Sequence, residues 1–333
     1  MKKLLLAVVG ILFAATSFAQ NALVASLSSG TDVTYYYGVT ALDQAVSAAK
    51  SGDIINLSGG SFNATNITKG ITIRGAGIDN KEPTYIVNEF LIDIPEGDAN
   101  RFMMEGVRCT NMMKFKGVFA NPYFLKCQFN NIGRWDYDVT VSNIMFANCK
   151  ITGELRAAAN SSYILVNCFV NSLYKQDYAA VTATNCVLIR GGNDFSAYNG
   201  QFFNCIFVSK DGDGYYAMPN NSQASNCIAV NFPSSFDLFS DLSVKPNCPS
   251  VSKSYSDVFK TYTGTYSDEE TFELNDAGKA ILGTDGKEIG LYGGLQPYNS
   301  TPTYPLISTM TVPAKTNDQG KMDVTVGISL PTE

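Results

Sequence analysis

The cysteines recur at nearly even intervals along the chain, and this spacing is the strongest constraint on its fold. Eight of them are separated by 18, 22, 19, 18, 19, 22 and 21 residues. Disulfide frameworks of secreted domains are not evenly spaced, whereas a fixed period of about 20 to 50 residues is typical of solenoids. The cysteines are Cys109, Cys127, Cys149, Cys168, Cys186, Cys205, Cys227 and Cys248.

The residues around the cysteines repeat as well. In most repeats an asparagine directly precedes the cysteine, an apolar residue lies three positions before it, and another lies two positions after it. The cysteine and the later apolar residue share one face of a strand, whereas the earlier one has the opposite parity and belongs to a preceding strand. Asparagine tolerates the left-handed conformation of a one-residue bend between the two strands. The asparagines are Asn148, Asn167, Asn185, Asn204, Asn226 and Asn247.

These features predict an all-β fold, a parallel β-helix in which each repeat forms one coil. Neighbouring coils lie about 4.8 Å apart, so asparagine stacks on asparagine and cysteine on cysteine. We expect the cysteines to be free and buried as small core hydrophobes, because parallel Cβ vectors fit disulfide geometry poorly. The pattern weakens at its ends, where Cys109 and Cys127 lack the asparagine and Pro249 follows Cys248. A Cys227–Cys248 bridge is the one pairing left open.

A helix is predicted over residues 40–50, where it would cover the open end of the solenoid. Thr40 and Asp43 have the spacing of a capping box, and Gly52 marks the end of the helix. The spacing i, i+3, i+4, i+7 predicts one buried face. That face consists of Leu42, Ala45, Val46 and Ala49.

Residues 49–75 carry the motif A-x-x-G-D-x-I-x-L-x-x-G-x-[FY] followed by K-x-I-T-I-x-G. This motif resembles the N-terminal cap of right-handed parallel β-helix proteins of the pectate lyase-like superfold. Residues 276–292 resemble the D-A-G … D-x-x-G … D-I-G-A-[YF] closing segment of secreted bacterial members, with Glu288 for Asp and Leu291 for Ala. The resemblance implies a single right-handed β-helix of about nine or ten coils over residues 40–295, and it implies little about activity because the superfold hosts many functions. The cap motif is matched by Ala49, Gly52, Asp53, Ile55, Leu57, Gly60, Phe62, Lys69, Ile71, Thr72, Ile73 and Gly75.

The two ends of the chain differ from the repeats. Residues 1–19 have a basic start, an apolar run of about a dozen residues and a small-x-small cleavage site, which predicts a secretory signal cut before Gln20. Residues 20–39 then lead to the cap. No later apolar run reaches the roughly 18 residues of a membrane span. Residues 296–333 are predicted to be a proline-rich linker and a terminal strand or hairpin. We therefore expect a protein that is secreted or displayed at the cell surface.

Composition excludes several kinds of chemistry. The chain has no histidine, which removes Ser-His-Asp and Cys-His triads and HExxH zinc sites, and the cysteines form no CxxC pair. Its net charge of -6 disfavours nucleic acid as a partner. The N-x-D, D-D, G-H-G and R-x-K set of polygalacturonase-like hydrolases is not met, and the W-x-D-H stretch of pectate lyases is absent. A lyase base is still available from basic residues that otherwise read as surface charges, namely Arg134, Arg156, Lys175, Arg190 and Lys210.

Aromatic and acidic residues recur some six to twelve positions after the cysteines, which predicts a stripe along one edge of the solenoid. Aromatic faces beside carboxylates suit neutral sugar rings, and the acidic groups disfavour a polyuronate. The alternative is that these are ordinary loop residues packed over the coil. Asp211 and Asp213 are candidate calcium ligands or part of a plain turn. The predicted glycan-binding residues are Trp135, Asp136, Tyr137, Tyr174, Asp177, Tyr178, Tyr198, Tyr215 and Tyr216.

Three functions are compatible with this sequence. The first is a secreted, non-catalytic, adhesin-like solenoid that binds a polysaccharide or cell-surface glycan without a cofactor. The second is a polysaccharide lyase or glycoside hydrolase with an unrecognised site, supported mainly by analogy of fold. The third is a structural module of an extracellular assembly. The sequence does not predict the oligomeric state.

Overall fold

The computed structural model shows a parallel β-solenoid, so the predicted all-β parallel β-helix is confirmed. In the first sheet, parallel pairing runs unbroken from the strand at residues 54–57 to the strand at residues 223–225. Within the described residues, no helix is long and apolar enough to cross a membrane. The structure describes residues 23–98, 101–133, 139–158, 160–175, 179–189, 200–210, 218, 221–311, 319 and 325–329, with only the backbone for 174–175, 306–311 and 325–329.

Two long sheets form the walls of the solenoid, and each turn contributes a strand to both. The first sheet contains β1 Val24–Ser29, β2 Asp32–Tyr37, β3 Ile54–Leu57, β5 Thr72–Arg74, β8 Met103–Glu105, β11 Tyr123–Leu125, β14 Ile144–Ala147, β16 Ser162–Val166, β18 Ala180–Thr184, β20 Gly200–Phe203 and β22 Gln223–Ser225. The second contains β4 Gly60–Asn63, β6 Thr84–Val87, β7 Phe90–Ile92, β9 Val107–Phe115, β12 Gln128–Ile132, β15 Lys150–Ala157, β17 Phe169–Lys175, β19 Val187–Ile189, β21 Ile206–Val208 and β23 Ile228–Val230.

Smaller elements complete the fold. Strands β10 Gly117–Ala120 and β13 Val139–Ser142 pair in parallel as a third, two-stranded sheet. Strands β24 Leu306–Thr311 and β25 Thr325–Ser329 form an antiparallel hairpin. The helices are α1 Ala41–Ala48, a 3-10 turn at Tyr255–Asp257 and α2 Asp276–Lys279.

The bend between the two long sheets has the left-handed backbone that the sequence predicts. All six asparagines of the repeat have φ between 48° and 56°. Lys126 takes the same conformation, with φ of 53°, in a turn that lacks the asparagine. A left-handed residue therefore turns the chain from the first sheet to the second at the same place in successive coils.

Stacking of cysteines is confirmed for the repeats but is wrong for Cys109. This residue pairs in register with Phe129, which places Val107 opposite Cys127. The bend of that turn is Gly106, with φ of 67°. Cys109 therefore occupies the second apolar position of the repeat, and it is buried there by the same core.

The interior of the solenoid is a continuous column of apolar side chains. All cysteines are free as predicted, and every one except the half-buried Cys248 is buried; the Cys227–Cys248 pairing that the sequence left open is not formed. Phe124 and Phe146 stack with ring centroids 4.8 Å apart, as expected for equivalent positions in neighbouring coils. Side chains of one kind therefore follow one another along the axis.

Helix α1 covers the first turn as predicted. The side chains of Leu42, Ala45 and Val46 on its inner face are buried against the solenoid. The predicted capping box is wrong. The backbone of Thr40 has φ of -96° and ψ of 5°, which is not the extended conformation that directs an N-cap side chain to the first turn. Asp43 instead accepts a hydrogen bond from Thr65 Oγ1 at 2.6 Å, so this carboxylate ties the helix to the coil below.

A second apolar cluster covers the outer face of the second sheet in its last turns. Strands β19, β21 and β23 are buried on both faces, because residues 255–298 pack over them. The ring of Phe169 stacks with the rings of both Tyr266 and Phe272, whose centroids lie 4.9 and 4.4 Å from its own. A continuous apolar run is typical of strands covered on both sides. The runs Val-Leu-Ile, Ile-Phe-Val and Ile-Ala-Val are the sequence signal for this second core.

The chain then returns along the asparagine bends as a strap, defined as residues 282–304. It runs from the last turns back towards the first ones and bonds to the asparagine side chains on the way. These bonds join Asn226 Nδ2 to Leu282 O at 3.3 Å, Thr284 N to Asn204 Oδ1 at 3.0 Å, and Asn167 Nδ2 to Leu291 O at 2.7 Å and to Gly293 O at 2.9 Å.

The strap ends on the early turns of the solenoid. Lys126 Nζ donates to Thr301 O, and Tyr304 Oη donates to Gly75 O. The fully buried carboxylate of Glu105 accepts from Thr303 N at 2.6 Å and from Thr303 Oγ1 at 3.0 Å. The end of the strap is therefore bonded to early turns of the solenoid that are far from it in sequence.

Replacement of Asn167 separates the two roles of the bend asparagines. Asn167→Gly and Asn167→Ala both remove the bonds to the strap, but only alanine must hold a Cβ in the left-handed region. We expect the alanine variant to be less stable than the glycine variant by about 1 kcal/mol. Urea unfolding followed by circular dichroism measures this difference. Equal stability of the two variants would show that the bend conformation contributes nothing.

Thr303→Val tests the end of the strap. The change removes the hydroxyl donor to a buried carboxylate oxygen, and we expect a loss of about 1 to 3 kcal/mol in the free energy of unfolding. Thr301→Val is the matched control, because the strap uses only main-chain atoms of the exposed Thr301. Thermal unfolding compares the two. A control as unstable as Thr303→Val would contradict the role of the hydroxyl.

Candidate functional site

The predicted stripe follows strands that end at one edge of the second sheet. Strands β12, β15, β17, β19 and β21 are consecutive parallel neighbours, so their carboxyl ends lie side by side. Tyr174 and Lys175 are the last residues of β17, and Lys210 lies just beyond β21. The following predicted residues lie outside the described residues: Trp135, Asp136, Tyr137, Asp177, Tyr178, Tyr198, Tyr215 and Tyr216 of the stripe, the calcium candidates Asp211 and Asp213, and the basic residues Arg134 and Arg190.

An ion pair lies on the outer side of this edge. Arg156 is one of the candidate bases, and its Nε donates to Glu154 Oε2 at 2.6 Å. Both side chains are about one-third exposed. Strand β15 lies between β12 and β17, and Arg156 pairs in register with Tyr174. Arg156 therefore lies on the strand next to Tyr174, the one residue of the predicted stripe whose backbone the structure describes, and a carboxylate neutralises its guanidinium.

A second cation lies in the same column of the sheet. Met113 pairs with Ile132, so Lys114 aligns with Gly133 and, one strand further, with Arg156. Lys114 is buried and forms an ion pair with Glu89. Gly133 has φ of 83°, and a Cβ at this position would lie 2.3 Å from Arg156 O, so glycine is needed for the strands to approach. The column thus carries two cation–carboxylate pairs.

A groove of about 330 Å³ lies beside the third sheet. Its floor is apolar, with Ile94, Phe102 and Phe119 buried, and its rim carries hydroxyls and charged groups. Sites for small ligands combine such apolar linings with a few polar groups. The polar lining residues are Glu96, Asp98, Arg101, Asn121, Thr140 and Ser142.

The charged side chains of the groove are held by different contacts. Arg101 Nε donates to Asn121 O at 2.7 Å, and its guanidinium lies 4.4 Å from the centroid of the Tyr123 ring. Asp98 accepts a hydrogen bond from Gly70 N at 2.8 Å, so its carboxylate also holds the segment just before β5 in place. Glu96 is exposed at the rim. The groove thus offers a fixed cation and an exposed carboxylate above aromatic carbon.

The sequence interpretation missed this groove, although a signal for it exists. Asn121 and Asn143 have φ of 60° and 54°, and the side chain of Asn143 donates to Asn121 Oδ1 at 3.1 Å. These two residues lie 22 positions apart, which matches the cysteine interval. They form a second asparagine bend, at the entry to the first sheet. The repeat predicted from the sequence contains asparagine only before cysteine, so it does not include this second bend.

The cysteine column is chemically closed. Burial raises the pKa of Cys127 to about 12 and also raises the pKa of Cys149 and Cys205. These three thiols therefore stay protonated at neutral pH, and their sulfurs lie 3.2–3.5 Å from main-chain carbonyl oxygens. Among the described residues, no three histidine, cysteine or acidic side chains are grouped to hold a metal ion.

Comparison of the chain with protein-family models, curated proteins and solved structures gives no match. The fold defines the chain as a parallel β-solenoid, and no comparison confirms the resemblance to the pectate lyase-like superfold.

Thiol labelling tests the closed column. In the folded protein we expect a disulfide reagent to label only Cys248, and slowly, because a hydrogen bond with Cys227 and partial burial raise its pKa. In denaturant all eight thiols should react. The control Cys248→Ser should show no labelling while folded. Rapid labelling of further thiols in the native state would contradict the buried column.

Proposed function

We propose that this chain is a secreted, non-catalytic β-solenoid that binds a glycan at the cell surface. The observation that carries the proposal is the common edge at which β12, β17, β19 and β21 end. The aromatic and acidic residues of the predicted stripe belong to the sequence segments that come after these strands, except for Tyr174, which is within β17. Repetition along the axis suits a linear polymer, since each turn can contact a further unit of the chain.

The groove supports a neutral carbohydrate as the ligand. Strand β13 supplies Thr140 and Ser142 to the groove, and it begins directly after the first stripe segment, residues 134–138. Hydroxyls and a carboxylate bind the hydroxyls of a sugar, and the apolar residues that line the groove pack against its ring. The acidic groups and the net charge of -6 disfavour a polyuronate. The proposed binding needs no metal, and calcium at Asp211 and Asp213 remains a prediction.

One observation favours the alternative of a polysaccharide lyase. Arg156 lies beside the predicted stripe, and its neighbour in the ladder is Tyr174 of the strand that ends at Lys175. A basic residue next to a carboxylate is the minimal set for abstraction of a proton from a uronic acid. The Glu154 carboxylate, however, already engages the guanidinium in a hydrogen-bonded ion pair, which suits a structural role.

Glycan binding tests the proposal. The purified protein is incubated with a panel of neutral and acidic glycans, and binding is measured for Tyr137→Ala, Tyr215→Ala and the control Tyr85→Ala. Tyr85 lies on β6, two strands before β12 in the second sheet, and no residue of the predicted stripe belongs to the segment that follows β6. Loss of one ring contact is worth about 1 kcal/mol, so we expect each stripe variant to bind roughly five- to tenfold more weakly. Equal binding by all variants would rule out the stripe.

The same panel separates the alternatives. Ultraviolet absorbance of unsaturated uronate, lost in Arg156→Gln, would establish lyase activity and overturn the non-catalytic proposal. The assay is run with and without calcium so that a metal requirement is detected. Absence of both binding and turnover would favour the remaining candidate, a structural module of an extracellular assembly.

A further inference from the structure

Strand β2 forms the outer edge of the first sheet at its N-terminal end. Its inner edge pairs with β1, and no described strand pairs with its outer edge. Val33, Tyr35 and Tyr37 share one face of the strand, and they are 50%, 57% and 63% exposed, respectively. A sheet edge of this length with exposed apolar side chains is a template for pairing with another strand.

The register shows which backbone groups of β2 are free to pair. Gly38 N donates to Leu23 O at 2.9 Å, and every second residue of an antiparallel pair bonds in this way. Asp32, Thr34 and Tyr36 therefore direct their N–H and C=O groups to β1. The outward groups belong to Val33, Tyr35 and Tyr37, which are also the residues with the exposed side chains.

The edge lacks the features by which natural proteins prevent pairing. Such edges usually carry lysine, proline or a β-bulge. Strand β2 contains neither residue, and its register with β1 is continuous from Ser29↔Asp32 to Val24↔Tyr37. The other end of the solenoid is different, because the chain itself covers it through the bridges Gln223↔Val244 and Val230↔Lys253.

We propose that two copies of this protein pair through β2 as an antiparallel, head-to-head dimer. A two-fold axis at Tyr35 sets Val33 of one copy opposite Tyr37 of the other, so all three outward N–H and C=O pairs are satisfied. The only charged residue of the strand, Asp32, then faces Gly38, and no like charges meet. The exposed side chains of both copies form one apolar cluster. The covered far ends stop further growth, so the assembly closes as a dimer.

The shape of this end of the solenoid permits the approach. Helix α1 lies beside β1 and β2, and a helix of about 10 Å diameter has the height of two strands spaced about 4.8 Å apart. The exposed side chains of the helix are those of Asp43, Gln44, Ser47 and Ala48, and none of them is a large apolar group.

Sedimentation velocity tests the dimer over about a hundredfold range of concentration. Tyr35→Pro removes the central outward N–H and leaves the bonds to β1 in place, so this variant should fold but not pair. Val33→Lys adds like charges near the axis. We expect both changes to weaken dimerisation about tenfold or more. Val118→Lys is the matched control, because Val118 is 51% exposed in a strand of the third sheet.

Circular dichroism and thermal unfolding establish that each variant is folded. A concentration-dependent dimer that is lost in Tyr35→Pro and Val33→Lys and kept in Val118→Lys supports the proposal. A wild-type protein that stays monomeric at all concentrations overturns it, even if the edge captures a strand of another protein. A dimer that survives both edge variants also overturns it.

Discussion

The left-handed bend between the two sheets is the constraint on which the rest of the structure depends. A single residue must turn the chain from the first sheet into the second in each coil, and asparagine does this at modest cost in backbone energy. Because the bend recurs at the same place, strands of successive turns pair in register and equivalent side chains meet along the axis. The buried cysteines and the stacked Phe124 and Phe146 are consequences of that regularity.

The bends also determine how the outside of the solenoid is covered. Each asparagine forms the turn with its backbone, so its side-chain carboxamide is available on the outside of the solenoid as a hydrogen-bond donor and acceptor. The strap satisfies several of these groups, and Glu105 provides an acceptor for the end of the strap. The residues before the strap protect the outer face of the last turns. The C-terminal segment is therefore part of the same architecture as the coils.

Regular features could be predicted from the sequence, and irregular ones could not. The cysteine interval predicts the solenoid because one small residue per turn must fit a crowded interior. It misplaces Cys109 because Gly106 shifts the bend of that turn. The capping box fails because Thr65, distant in sequence, competes for Asp43. The ion pair of Glu154 and Arg156 is formed within one strand, but the groove needs contacts between turns that no local pattern specifies.

The course of the strap has a mechanical consequence. A pull on the C-terminal end of the strap would load Tyr304 first, and its force would be delivered to the turns around Gly75 and Glu105. The final coil would thus be shielded from peeling, because it is loaded only after the fastening at the opposite end gives way. A protein displayed by its C-terminal region would resist shear along its long axis for this reason.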